Sequence, residues 1–145
     1  MKYKTVIDAE RDEEVVIYAH SRSEDIERIE SFVGSIGATL YGYKDREAVI
    51  LLPDEVECFY SQGGRVLARV GGEELAVRER IYTIEERYGA TLVRINQSCL
   101  VNVRKILRFE TTIGGALVVV LRDGYRDYVS RRQIKYVKER LGLKK

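Results

Sequence analysis

Apolar positions recur at two different periods along this chain, and the change between them divides it. Ile26, Ile29, Phe32, Val33 and Ile36 fall at helical spacing. That helix starts at Ser21 to Glu24 or at Ser23, carries Glu24 and Asp25 in its first turn, and stops at Gly37. Ahead of it, YKTVID (Tyr3–Asp8) and EVVIYAH (Glu14–His20) predict two strands around a charged turn. From Ala38 the texture becomes short strands with glycine turns. ATLYGYK and EAVILL flank Asp45-Arg46, EVECFYS and RVLARV flank Gln62-Gly63-Gly64, and RVLARV and EELAVRE flank Gly71-Gly72. ERIYTIEERYG predicts a short helix with Ile81, Ile84 and Tyr88 inward. TLVRI and LVNVRKILRFE predict strands interrupted by Asn96-Gln97-Ser98, and ALVVVLR and YRDYV a hairpin over Asp123-Gly124. The fold class expected is α+β with antiparallel sheet dominant. A β-β-α appendage over residues 1–42 precedes a domain over 43–145, the boundary falling near Ala38–Gly42.

The closing stretch, DYVSRRQIKYVKERLG, predicts a last helix with an unusual start. Ser130 and Gln133 have capping-box spacing, Ile134, Val137 and Leu141 form the apolar face, and Gly142 ends it. Directly inside the cap stand Arg131 and Arg132. A helix N-terminus carries about half a positive charge, so each arginine costs up to about 1 kcal/mol there. The first helix places acids at that end and the last places bases, which asks for an anion opposite the arginines.

Charge distribution sharpens that expectation. Residues 1–60 hold 7 Lys/Arg against 14 Asp/Glu, a net of −7, and residues 61–145 hold 18 against 9, a net of +9. Thirteen of the later 18 cations are arginines, the residue suited to bidentate contacts with phosphates and guanine edges. An acidic front and an Arg-rich back point to a polyanion partner for the back, with a merely solvated basic surface as the alternative.

Catalysis finds no support. The single histidine, His20, stands in the acidic segment, and no nucleophile elbow, zinc-protease helix, Walker loop or dinucleotide fingerprint is present. The glycine pairs at 63–64, 71–72 and 114–115 read as turns. Cys58 and Cys99 are far apart, without CxxC or paired histidine, and read as reduced thiols. No cofactor and no metal are expected. No run of 18 apolar residues occurs and the N-terminus is too polar for a signal peptide, so the expectation is a soluble cytoplasmic protein without membrane insertion.

Nucleic-acid chemistry gathers at three places. Gln62, Gly64 and Arg65 surround a tight turn, Asn96, Gln97 and Ser98 form a polar insert between apolar runs, and Ser130, Arg131 and Arg132 start a helix. Asn and Gln suit adenine, Arg suits guanine, and Ser and free helix-end amides suit phosphate. Arg104 and Lys105 are further candidates for phosphates. Neither a helix-turn-helix pattern nor an aromatic RNA-recognition motif is present, so reading would come from loops on a β scaffold.

RERIYTIEERYGATLVRINQSCLVNVRKILRF resembles the central signature of the LytTR-type DNA-binding domain, a helix LxELEExL followed by FVRIHRSYLVNLxxI. DGYRDYVSRRQIKYVKERLG resembles that family's closing (D/N)G…(V/I)SRRYVKxLKExL. The likeness runs from about Tyr43 to Leu141, and the front resembles that of stand-alone bacterial regulators of this kind without a receiver domain. It implies an elongated, mostly β domain that inserts loops into successive major grooves of double-stranded DNA, two copies on a direct-repeat operator. By this resemblance the contacts come from Gln62–Arg65, Asn96–Ser98 and Ser130–Arg132, a homodimer is expected, and residues 1–42 serve dimerisation or regulation. Asn96-Gln97 stand where the family commonly has His-Arg, so no base preference carries over. The first loop is short and glycine-rich, with Gln62 and Arg65 as its candidate readers. The competing reading is a protein-interaction or ligand-sensing module whose basic face docks an acidic partner.

Overall fold

The computed structural model describes residues 1–37 and 39–143. Ala38, named above at the domain boundary, lies outside them. The chain forms two compact units, Met1–Ile36 and Gly37–Lys145.

In the first unit a single element forms, helix α1 (Glu24–Ser35). Ser23 caps it, its Oγ accepting from the Ile26 amide at 3.3 Å, and Glu24, Asp25 and Glu27 occupy the first turn. The two expected strands over 3–8 and 14–20 do not form. Tyr3, Ile7 and Tyr18 are more than nine-tenths exposed. Two short strands bury too little surface to hold a ladder alone, whatever their side-chain pattern.

The second unit begins with strands β1 (Tyr41–Lys44) and β2 (Glu47–Ile50), followed by β3 (Cys58–Gln62), β4 (Arg65–Val70) and β5 (Glu73–Val77). Helix α2 (Ile81–Arg87) leads to β6 (Leu92–Asn96) and β7 (Cys99–Asn102). Strands β8 (Ile106–Thr111), β9 (Leu117–Leu121) and β10 (Arg126–Val129) and helix α3 (Arg131–Leu141) complete it. All strand pairings are antiparallel. One sheet has the order β2-β1-β5-β4-β3-β7-β6, the other β10-β9-β8. Residue 42 falls inside β1, and Leu40 is buried in the core of this unit, so the compact unit starts before the expected division.

Alternation along the strands sends side chains to two cores. Phe59, Ala68, Leu75, Leu92 and Leu100 pack with Ile81 and Ile84 of α2 on one face of the large sheet. Cys58, Tyr60, Val93, Ile95, Cys99 and Val101 pack on the other with Leu117, Val119 and Leu121 of the small sheet and Val137 of α3. Ile134 and Leu141 join Val137 there, the face that the 134/137/141 spacing predicts.

The segment LVNVRKILRFE, read above as one strand stretch, is broken at Asn102–Lys105. Asn102, fully buried, donates from Nδ2 to the carbonyls of Pro53, Asp54 and Val56 at 3.0–3.2 Å and accepts the Arg104 amide at 3.0 Å. A 3-10 turn over Val103–Lys105 follows, and the chain leaves one sheet for the other.

Candidate nucleic-acid interface

The strand registers bring the three candidate segments to one end of the large sheet. Gln62 pairs with Arg65 across the Gly63-Gly64 turn, whose φ angles of +59° and +77° require glycine in the absence of any crowding. Tyr60 pairs with Cys99, and the Ser61 amide donates to the Ser98 carbonyl at 2.8 Å, which sets the β6–β7 turn beside the β3–β4 turn. The Ser130 amide donates to the Ile95 carbonyl at 2.8 Å and so fixes the start of α3 to the same turn. At its other end α3 is held by Arg140, whose guanidinium donates to the carbonyls of Leu92 at 2.9 Å and Gly89 at 2.5 Å. The helix is thereby pinned to β6 at both ends.

Not all nine candidates present themselves outward. Gln62, Gly64, Arg65, Gln97, Ser98, Arg131 and Arg132 are exposed and Ser130 is half-buried. Asn96 is buried, and both ends of its amide are used inside the protein: Nδ2 donates to the Tyr128 carbonyl at 2.9 Å, and Oδ1 accepts the Ser98 amide at 2.8 Å. With one Nδ2 hydrogen and one Oδ1 lone pair committed inside the protein, Asn96 ties its turn to the strand that precedes α3. The expected capping box is absent. Ser130 makes no side-chain cap bond, and the Gln133 amide donates to the Ser130 carbonyl at 2.9 Å instead. The Ser130 hydroxyl and the first amides of α3 therefore stay uncommitted to one another.

Arg104 and Lys105 lie elsewhere. They follow Asn102, at the end of β7 opposite Cys99, about 10 Å away at about 3.3 Å per strand residue. The two turns and the helix start do not gather them.

Partnering separates the arginines of this unit. Arg69 pairs with Asp123 and Glu74, Arg94 with Glu85, and Arg108 and Arg126 both with Glu110. Arg65, Arg131 and Arg132 have no acidic partner among the described residues. Those three belong to the converging end; Arg78, Arg80, Arg104, Arg122 and Arg140 likewise have no acidic partner among the described residues. The Arg94 guanidinium also donates to the Gln97 carbonyl at 2.8 Å, holding the turn's backbone while the Gln97 side chain faces solvent.

The small sheet's β9–β10 hairpin, which delivers the chain to α3, is tied to the large sheet by side chains that sequence reading did not single out. The Arg69 Nε donates to Asp123 at 3.1 Å, its guanidinium lies 4.8 Å over the Tyr125 ring, and Tyr125 stacks on Tyr60 at 5.5 Å. Tyr60 in turn hydrogen-bonds Glu74. Burial and that carboxylate push the Tyr60 phenol up to about 12. Burial raises the Tyr125 phenol as well. Only the tertiary fold brings these residues, up to 65 positions apart in sequence, into one cluster.

Among the described residues no group of three or more His, Cys, Asp or Glu could hold a metal ion, and no helix is long and apolar enough to cross a membrane.

The fold, an antiparallel sheet with short helices, is shared with a solved structure. A LytTr DNA-binding domain from a Bacillus cereus protein described as a methyl-accepting/DNA response regulator superposes with a TM-score of 0.67 at 15% identity, over 73% of this chain and 99% of that one. In sequence, the chain is 28% identical over 146 residues to uncharacterised HTH-type transcriptional regulators of Staphylococcus aureus strains NCTC 8325 and COL, covering 99% of each. The family model for the LytTr DNA-binding domain matches residues 46–142. The chain belongs to the LytTr DNA-binding domain family. Whatever the "HTH-type" in the relatives' names denotes, helices α2 and α3 here are separated by five strands.

Proposed function

We propose that this protein is a transcriptional regulator that binds double-stranded DNA at specific sequences, reading major grooves with two turns and the start of its last helix. The observation that carries this is the gathering of Arg65, Gln97, Arg131 and Arg132, all exposed and without acidic partners, at one hydrogen-bonded end of a rigid sheet. A phosphate or a guanine edge opposite α3 offsets the charge that two arginines add to a helix N-terminus. In this reading Gln62, Gln97 and Arg132 face bases, and Arg65, Ser98, Ser130 and Arg131 face the backbone. Arg104 and Lys105 act, if the duplex bends toward them, only on flanking phosphates.

The protein works as a homodimer on a direct-repeat operator, and residues 1–36 serve self-association or signal response. Supporting this are the acidic charge of that segment and its exposed Tyr3, Ile7 and Tyr18, apolar surface that a second copy can cover. Regulator-named relatives align with this chain over their full length, the acidic segment included.

Selection of bound sequences from a random duplex pool is the test. A repeated half-site, a footprint long enough for two copies, and steep loss of affinity with salt are expected. An acidic protein partner as the true ligand would leave the pool unenriched, and the proposal would fall.

A further inference from the structure

Beside the β3–β4 turn, on the side away from α3, the surface sinks into an open concavity of about 380 Å³ lined among others by Gly64, Arg65, Val66, Arg78, Glu79 and Arg80. Its charge is unbalanced. Val66 and Val77 are the last pair of the β4–β5 ladder, so Arg65 of β4 and Arg78, the residue after β5, stand one step beyond, side by side. Like charges so placed repel, and a fold gains nothing from them unless an anion lies between. Arg80 follows two residues later as the N-cap of α2, with no side-chain cap bond of its own. The only carboxylate in the lining, Glu79, is paired with Arg87 at 3.8 Å. No acidic partner reaches Arg65, Arg78 or Arg80 among the described residues. Arg78 is nevertheless held in place, its guanidinium 4.2 Å over the Tyr43 ring. A cation fixed by an aromatic face rather than by an acid keeps its donors for a ligand.

We infer that Arg78 and Arg80, with Arg65, form a phosphate-binding strip that carries the DNA backbone across the β5–α2 edge and extends the interface beyond its two turns and helix start. The occupant is the phosphodiester backbone of the duplex. An open, shallow concavity suits a continuous polyanion passing across it, and Arg65 is shared with the β3–β4 turn. The strip positions the duplex and carries no sequence information, because a guanidinium on a phosphate meets the same group at every base pair. It rests on the proposed DNA binding and adds residues and a direction to it.

The test compares the full-length protein with the R78A/R80A variant on two duplexes of one length, the sequence recovered by selection and a scrambled one, across a salt series. Two lost phosphate contacts lower the slope of log K against log salt by about 2, at about 0.9 per contact on B-DNA. Affinity for both duplexes should fall by the same factor with their ratio unchanged, while the variant still melts cooperatively, lower by no more than the several degrees that loss of the Arg78–Tyr43 contact costs. R78K/R80K should recover much of the slope, since point charges still pair with phosphates. Phosphate ethylation that interferes with wild-type binding on one flank should cease to matter for R78A/R80A. Wild-type slope and affinity in R78A/R80A would overturn the strip while leaving DNA binding by the turns intact. A changed ratio between the duplexes would overturn it too, by making these residues base readers. Pyrophosphate that competes at constant ionic strength would reassign the concavity to a small anion. A wild-type protein that binds neither duplex removes both this inference and the function it rests on.

Discussion

The side-chain amide of Asn96 donates to the Tyr128 carbonyl at 2.9 Å, joining the β6–β7 turn to the strand that delivers α3. The same amide accepts from Ser98. One buried residue thus sets the spacing between Gln97 and Arg132, which lie on different elements. Their relative geometry is fixed before any ligand arrives, and a preorganised interface loses less ordering entropy on binding.

Replacing Asn96 by alanine should therefore be a folding lesion first. It leaves the Tyr128 carbonyl and the Ser98 amide without their partners at part-buried positions, at a cost of about 1 kcal/mol for each bond. Thermal unfolding should move several degrees down, and affinity for the selected duplex should fall at temperatures where the variant remains folded. An unchanged melting temperature would show that the turn holds itself.

Much of this architecture was legible because local rules and tertiary demands agree. Ser23 caps α1 where its spacing predicts, the Gly63-Gly64 and Asp123-Gly124 turns join adjacent strands, and Val137 is the centre of the last helix's buried face. Disagreement came where one side chain acts over a long sequence distance. Asn96 looks like any polar residue in a turn, since its partner is 32 residues away. Asn102 reads from its place in LVNV as a turn or capping residue, which it is for the Val103–Lys105 turn, but its bonds to carbonyls 46 to 49 residues earlier are beyond any local pattern. The residues before Ser21 show the opposite case. Their alternation is strand-like, but a ladder needs a third strand or a covering face, and periodicity does not report whether one exists.

Alkaline titration should expose the Tyr60–Tyr125 stack. Burial and the Glu74 hydrogen bond hold the Tyr60 phenol up to about 12, and burial raises that of Tyr125. In the unfolded chain both ionise near the ordinary value of about 10. Above that pH the unfolded state binds fewer protons than the folded one, so stability falls as pH rises. A melting temperature that is level up to about pH 10 and then drops is expected. Replacing both tyrosines with phenylalanine should flatten the drop, and an equally steep fall in that variant would place its origin elsewhere.

Truncation should separate the two units if the cut respects β1. A fragment starting at Gly37 keeps Leu40 and all of β1, both part of the second unit. It should fold and bind the selected duplex as a monomer. A fragment starting at Tyr43 loses Leu40 and two residues of a four-residue strand, and should melt lower or aggregate. Circular dichroism and light scattering on the two fragments decide the matter. If the longer fragment is unfolded, the first unit is needed for the fold and is no appendage.

Gln97 and Arg132 give the sharpest division between structure and recognition. Both are exposed, and neither side chain has a partner among the described residues. Gln97→Ala removes no internal bond, because the turn uses only the Gln97 carbonyl, which accepts from Arg94. Arg132→Ala removes a cation from the wrong end of a helix dipole, so the free protein should be as stable as wild type or up to about 1 kcal/mol more so. On DNA the outcomes diverge. A base contact by Arg132 costs about 1–3 kcal/mol on the selected duplex and relaxes preference at one position. A phosphate contact weakens all duplexes alike and lowers the salt slope by about one. Gln97→Ala should do the first and not the second, since an amide releases no counterion. A variant of either residue that melts early yet binds normally would make that residue part of the scaffold, and the reading surface would then have to be sought on other exposed side chains of the same sheet end.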